Sequence, residues 1–80
     1  MDDRYQTTTL GLSMLGPTDI GQVLILFKPG RSINEVAAIF RETATVDSSD
    51  ADTKAQHERL ARTVDRLILQ CTASGYLQRL

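Results

Sequence analysis

The stretch DTKAQHERLARTVDRLILQCTAS, residues 52–74, decides how the rest of the chain can fold. At about 100° per residue, His57, Leu60, Ala61, Val64, Leu67, Ile68 and Cys71 fall on one side of a helix. Arg59, Arg62, Thr63, Arg66 and Gln70 gather on the other side. The spacing predicts a single long helix whose apolar face builds a core while the opposite face presents guanidinium groups outward. Gly75 follows directly and suits a left-handed C-terminal cap. The tail Tyr76-Leu77-Gln78-Arg79-Leu80 then reads as a short strand, with Tyr76, Gln78 and Leu80 on one side and Leu77 and Arg79 on the other.

Upstream of this helix, Thr43 to Ala51 loses the apolar pattern and reads as a polar, locally acidic loop. Ser49 or Asp50 can cap the long helix, and Asp47, Asp50 and Asp52 read as solvated loop and compensation of the helix dipole. They do not match a calcium loop, which needs more oxygen ligands and a closing Glu at a fixed position. Ser32-Ile33-Asn34-Glu35 has capping-box spacing and starts a helix running to about Glu42, with Ile33, Val36, Ala37 and Phe40 buried. Lys28-Pro29-Gly30-Arg31 is a turn.

Further back, Pro17-Thr18-Asp19 opens a helix from about Asp19 to Lys28 with Ile20, Val23, Leu24 and Phe27 on one face. Ile25 and Leu26 make this segment apolar on most sides, so a buried strand from Gln22 to Phe27 is the alternative. In residues 1–16, Thr7-Thr8-Thr9-Leu10 is β-prone and Leu10, Leu12 and Met14 alternate with period two. That segment reads either as a short edge strand or as an arm laid over the core.

Eighty residues make one domain, 1–80, with a core from residue 17 onward. A chain of this length buries only about 60% of the surface its unfolded form exposes, which favours help from a partner. Apolar and charged fractions of 41% and 24% argue against wholesale disorder. The longest apolar run, Val23 to Phe27, is far too short to span a bilayer. With a net charge of −1 there is no global positive field, so nucleic-acid binding has to come from a local patch. Cys71 is the only cysteine and sits on the apolar arc, which fits a buried thiol in a reducing compartment. The start Met1-Asp2-Asp3-Arg4 lacks the pattern of a signal peptide, so a cytoplasmic location is expected.

The capped segment Ser32 to Phe40 and the run from Leu60 to Leu80, with its leucine-rich turn, glycine and apolar pair, resemble the second and third helices and first wing strand of winged helix-turn-helix domains. Bacterial regulators of the multiple-antibiotic-resistance and ferric-uptake kinds share this order. The resemblance covers about Thr18 to Leu80. It implies a mainly α fold: a three-helix winged-helix-like domain with short N-terminal and C-terminal strands. Two departures stand out. Thr43 to Ala51 is longer than the usual three- or four-residue turn, and a complete wing needs a return strand after Leu80. Gly30 to Ala37, the acidic loop and Gly75-Tyr76-Leu77 are also similar to the helical part of leader-peptide recognition domains, winged-helix relatives that grip a peptide as an added strand.

On the first resemblance, Arg59, Arg62, Thr63, Arg66 and Gln70 supply phosphate and base-edge contacts to double-stranded DNA, and the protein regulates transcription by occupying a site. Arg31 and Lys28 can add backbone contacts. The bland alternative is a solvated face of pairs such as Glu58–Arg62, each worth only about 0.3 to 0.5 kcal/mol. On the second, the domain is an adaptor or inhibitor that binds a protein or peptide. Leu69, on the polar side, together with Tyr76, Leu77 and Leu80 can form an interface, and a homodimer would set two arginine stripes on one duplex. No catalytic set, metal site or cofactor motif is legible. A lone His57 is a poor zinc ligand, and His57 and Cys71 lie about 21 Å apart along one helix, too far to act as a nucleophilic pair.

Overall fold

A computed structural model describes residues 3–45 and 50–80. In chain order the elements are β1 (Arg4–Thr7), α1 (Thr9–Leu12), α2 (Asp19–Leu26), β2 (Arg31–Ser32), α3 (Ile33–Thr45), α4 (Ala51–Ala73) and β3 (Leu77–Arg79). The chain is mainly helical, with one small antiparallel sheet of order β2-β1-β3. β1 pairs Arg4 with Ser32 and Tyr5 with Arg31 on one side. On its other side it pairs Tyr5 with Arg79, Gln6 with Gln78 and Thr7 with Leu77.

The segment Gln22 to Phe27 is helical, and its caps explain why. The Thr18 hydroxyl accepts from the Gly21 amide at 3.1 Å, and Asp19 lies in the first turn where the helix dipole favours a carboxylate. At the other end, Gly30 takes φ +79°, which carries the chain away. The last carbonyls of α2 would be orphans, and the sheet satisfies them. The Thr7 hydroxyl donates to the Leu24 carbonyl at 2.5 Å, the Thr7 amide to that of Phe27 at 3.0 Å, and Arg31 Nη1 to that of Leu26 at 2.7 Å. The C-terminus of α2 is thereby fixed to β1 and β2.

The capping box before α3 forms as expected. The Glu35 amide donates to the Ser32 hydroxyl at 3.1 Å, and that hydroxyl donates to Glu35 Oε1 at 3.3 Å. α3 runs beyond Glu42 to Thr45 because the Thr43 and Thr45 hydroxyls donate back to the Ile39 and Glu42 carbonyls and Ala44 is buried. Asp50 caps α4, accepting from the Asp52 amide at 3.0 Å and the Thr53 hydroxyl at 2.6 Å. Ser49 and Asp47, also considered for this loop, lie outside the described residues, as do Met1 and Asp2. α4 ends where Gly75 adopts φ +84° and the Tyr76 amide donates to the Cys71 carbonyl at 2.8 Å.

The N-terminal segment differs from expectation. Its strand is Arg4–Thr7, and this strand is the middle of the sheet and not an edge. The alternating Leu10, Leu12 and Met14 belong to α1 and the turn after it, and all three are exposed. Thr8 overrides the alternation: its hydroxyl accepts from the Gly11 amide at 3.1 Å and donates to the Gly75 carbonyl at 2.6 Å. Gly11 is buried against the Tyr76 carbonyl and the Thr7 methyl, where a longer side chain would clash. The described residues therefore hold four helices, one more than the three expected.

The core gathers Val23, Leu24 and Phe27 from α2, Val36, Ala37 and Phe40 from α3, Leu60, Val64, Ile68 and Cys71 from α4, and Leu77 from β3. Tyr5 closes it from the sheet, its ring edge-on to Phe27 at 6.3 Å and 81°. The most extensive packing is α3 against α4. Ile25 stays half exposed, so α2 is amphipathic and not enclosed on every side. Among the described residues, no helix is long and apolar enough to cross a membrane.

Candidate functional site

The sequence-predicted site residues lie on two surfaces: the outward face of α4, and the C-terminal end of α4 with β3 and its outer edge. The wheel of α4 is as expected, with Leu60, Val64, Ile68 and Cys71 buried and Arg59, Arg62, Arg66 and Gln70 exposed. The arginines are not equivalent, however. Arg59 is held by Asp19 from the start of α2, with Nη2 2.9 Å from Oδ1 and 3.1 Å from Oδ2 and Nε 3.2 Å from Oδ2. Gln56 Nε2 joins the clamp, donating to Asp19 Oδ1 and to the Pro17 carbonyl, each at 3.0 Å. The hydrogen bonds from Arg59 and then Gln56 hold the Asp19 carboxyl below its ordinary pKa, and the Arg59 guanidinium is raised in turn. Thr63 is half-buried and spends its hydroxyl on the Arg59 carbonyl at 2.9 Å.

Of the expected DNA-facing set, Arg62, Arg66 and Gln70 are left exposed with no ion pair among the described residues. Arg4 and Arg79 are likewise committed, to Glu35 at 3.1 Å and Asp3 at 2.8 Å. Arg31 is turned inward onto the Leu26 carbonyl, while Lys28 is exposed. Carboxylates share the outward face of α4. Lys54, Arg59, Arg62 and Arg66 are matched by Asp52, Glu58 and Asp65, with Asp19 added by the clamp, so the local balance is neutral.

The edge of β3 has a simpler logic. The Leu80 amide donates to the Arg4 carbonyl at 2.8 Å, and the Thr8 amide donates to the Tyr76 carbonyl at 2.9 Å. Bonds to β1 thus fall at residues 76, 78 and 80, and in an antiparallel ladder the residues between them direct their amide and carbonyl groups the other way. Those residues are Leu77 and Arg79, and no described strand lies beyond them. Of the residues expected at an interface, Leu69 and Leu80 are 73% and 61% exposed, whereas Tyr76 is half-buried and the Leu77 side chain is in the core. Leu77 is only 3% exposed as a whole residue, backbone included, so the outward backbone groups within reach of a partner are those of exposed Arg79.

The remaining polar candidates, His57 and Cys71, pack against or within the core. His57 is half-buried, its ring centroid 5.8 Å from that of Phe40. No group of three or more metal-ligating side chains occurs among the described residues. Burial pushes the Cys71 thiol pKa up, which makes it less reactive. Sequence reasoning missed Asp19 as the partner of Arg59, because the two are distant in the chain and only the packing of α2 on α4 unites them. It also missed Arg41, which lies on α3 opposite Arg62 and carries no periodic signal of its own. No protein-family model matches this chain, and no curated protein or solved structure shows significant similarity to it.

Proposed function

We propose that this domain is a binding module that takes an extended protein or peptide segment as a fourth strand at the outer edge of β3, and that it works by occupancy. The observation that carries this reading is the outward direction of the backbone groups of exposed Arg79, on a strand with no described strand beyond it. Strand addition draws affinity from main-chain hydrogen bonds and specificity from nearby side chains. Exposed Leu69 provides an apolar contact near the C-terminal end of α4, whereas the exposed Leu80 side chain reaches back across the sheet to Gly30. The β3 edge of a second copy is itself such a segment, so a homodimer belongs to the same proposal. The free, buried Cys71 suits a reducing compartment, and the cytoplasm is the proposed location.

The test is Arg79→Pro against Arg79→Ala. Proline at 79 removes the outward amide while sparing the ladder to β1, and Gln78 before it is already extended. Both variants lose the exposed Arg79–Asp3 pair equally. Extended peptides selected from a random library on the native chain should bind Arg79→Ala normally and lose Arg79→Pro by at least tenfold. Equal binding to both variants sinks the reading.

A second reading is DNA binding through Arg62, Arg66 and Gln70, favoured by the two exposed arginines without ion pairs. It expects affinity for a mixed-sequence duplex that falls steeply with salt and weakens in Arg62→Ala and Arg66→Ala. No binding at low salt removes it.

A further inference from the structure

A depression of about 310 Å³ opens between the C-terminal half of α3 and the N-terminal half of α4, lined by Arg41, Ala44, Thr45, Glu58, Ala61 and Arg62. Its origin is legible in the side chains. Ala44 and Ala61 are small, so the wall between the two helices is apolar, and no described residue fills the space above it. Arg41 comes from α3 and Arg62 from α4, placing one guanidinium on each side.

The arginines of this chain are mostly committed. Arg4, Arg59 and Arg79 are in ion pairs, and Arg31 donates to a backbone carbonyl. Arg41 and Arg62 have no such partner among the described residues, and both line the same depression. Thr45 does not compete for them, since its hydroxyl donates to the Glu42 carbonyl at 2.8 Å. Among the described residues, Glu58 is the one carboxylate on the rim and makes no ion pair.

We infer that this depression is a binding site for a small amphipathic monocarboxylate, whose apolar body lies on Ala44 and Ala61 and whose carboxylate is shared by Arg41 and Arg62. Guanidinium groups recognise a carboxylate through paired N–H donors, and an apolar wall strengthens the attraction by excluding water. The volume lies at the bottom of the range of about 300–1,000 Å³ for ligand pockets, which limits the body to a single ring or a chain of about six carbons. Glu58 sets the sign of selectivity: it disfavours a second negative charge and accepts from a hydroxyl or ammonium on the ligand. This inference is independent of the β3 edge, and the two can fail separately.

The experiment is an amide chemical-shift titration of the full chain with benzoate and hexanoate, set against benzylamine and hexylamine of matched shape. A ligand of about nine heavy atoms should bind in roughly the millimolar range. Saturable shifts are expected at Arg41, Ala44, Ala61 and Arg62 with the acids and not with the amines. Arg41→Ala and Arg62→Ala should each weaken binding about tenfold, and Ala61→Leu should abolish it by filling the space. Glu58→Gln should tighten it severalfold, a gain that no folding defect can imitate. Overturning results are non-saturable shifts, shifts centred elsewhere, equal response to the amines, or Glu58→Gln binding no better than the native chain.

Discussion

Replacing Thr7 by Val removes one hydroxyl from the junction that ties β1 to the C-terminus of α2. That hydroxyl donates at 2.5 Å to the Leu24 carbonyl, and Thr7 is only 8% exposed. Valine keeps the β-branched shape and the strand preference of threonine, so shape is not the variable. An orphaned buried acceptor costs about 1–3 kcal/mol, and the extra methyl returns up to about 0.8 kcal/mol. The net loss is about 1–2 kcal/mol, which for a domain of this size lowers Tm by about 5–15 °C. Thr7→Ser keeps the donor and should lose at most about 1 kcal/mol, whereas Thr7→Ala loses both hydroxyl and methyl and should cost about 2–3 kcal/mol. The chain has no tryptophan, so urea melts followed by far-UV circular dichroism are the suitable assay. Thr7→Val at native stability, with Thr7→Ser the weaker variant, would show that Thr7 packs and does not cap α2.

Other expectations follow from single contacts. Ser32→Ala removes the hydroxyl that caps α3 and should cost about 1 kcal/mol in the same melts. Gly11→Ala drives a methyl into the Tyr76 carbonyl and the Thr7 methyl and should cost about 1–3 kcal/mol, while Gly16→Ala, with no atom within 4 Å, should be close to neutral. The folded-state pKa of Asp19 is depressed, so its contribution is fully present above the unfolded value and is lost as pH falls below about 4. Asp19→Asn should therefore flatten part of the acid limb of the stability–pH curve. It should leave the slope above pH 5 unchanged, and the part that persists belongs in some measure to Asp50, also lowered by its bonds to Thr53 and the Asp52 amide.

The legible parts of the sequence were those where local chemistry decides. Thr18, Ser32 and Asp50 each cap the helix that follows, and Gly30 and Gly75 mark the turns that stop α2 and α4. The apolar arc of α4 names its own core residues, because a single 3.6-residue period runs through it. A short N-terminal strand is legible, but its bounds and its place in mid-sheet are not, because four strand residues carry little pattern and the placement depends on β2 and β3, distant in sequence. Leu10, Leu12 and Met14 alternate but lie on a short helix held by Thr8 and Gly11, a tertiary contact that outweighs periodicity. Among the candidate site residues, a helical wheel places Arg59 and Arg66 alike on one face. It cannot show that Asp19 holds the first and leaves the second exposed, nor that Arg41 and Arg62 flank one depression.

The most direct measurement is amide hydrogen exchange at Tyr76 to Leu80, with and without a peptide selected on the native chain. In the free protein, the Arg79 amide should exchange much faster than those of Gln78 and Leu80, which point to β1. With peptide bound, Arg79 should slow by at least about a hundredfold, since its amide then donates to the added strand. Unchanged exchange at that amide, with the peptide bound elsewhere, would contradict strand addition at β3.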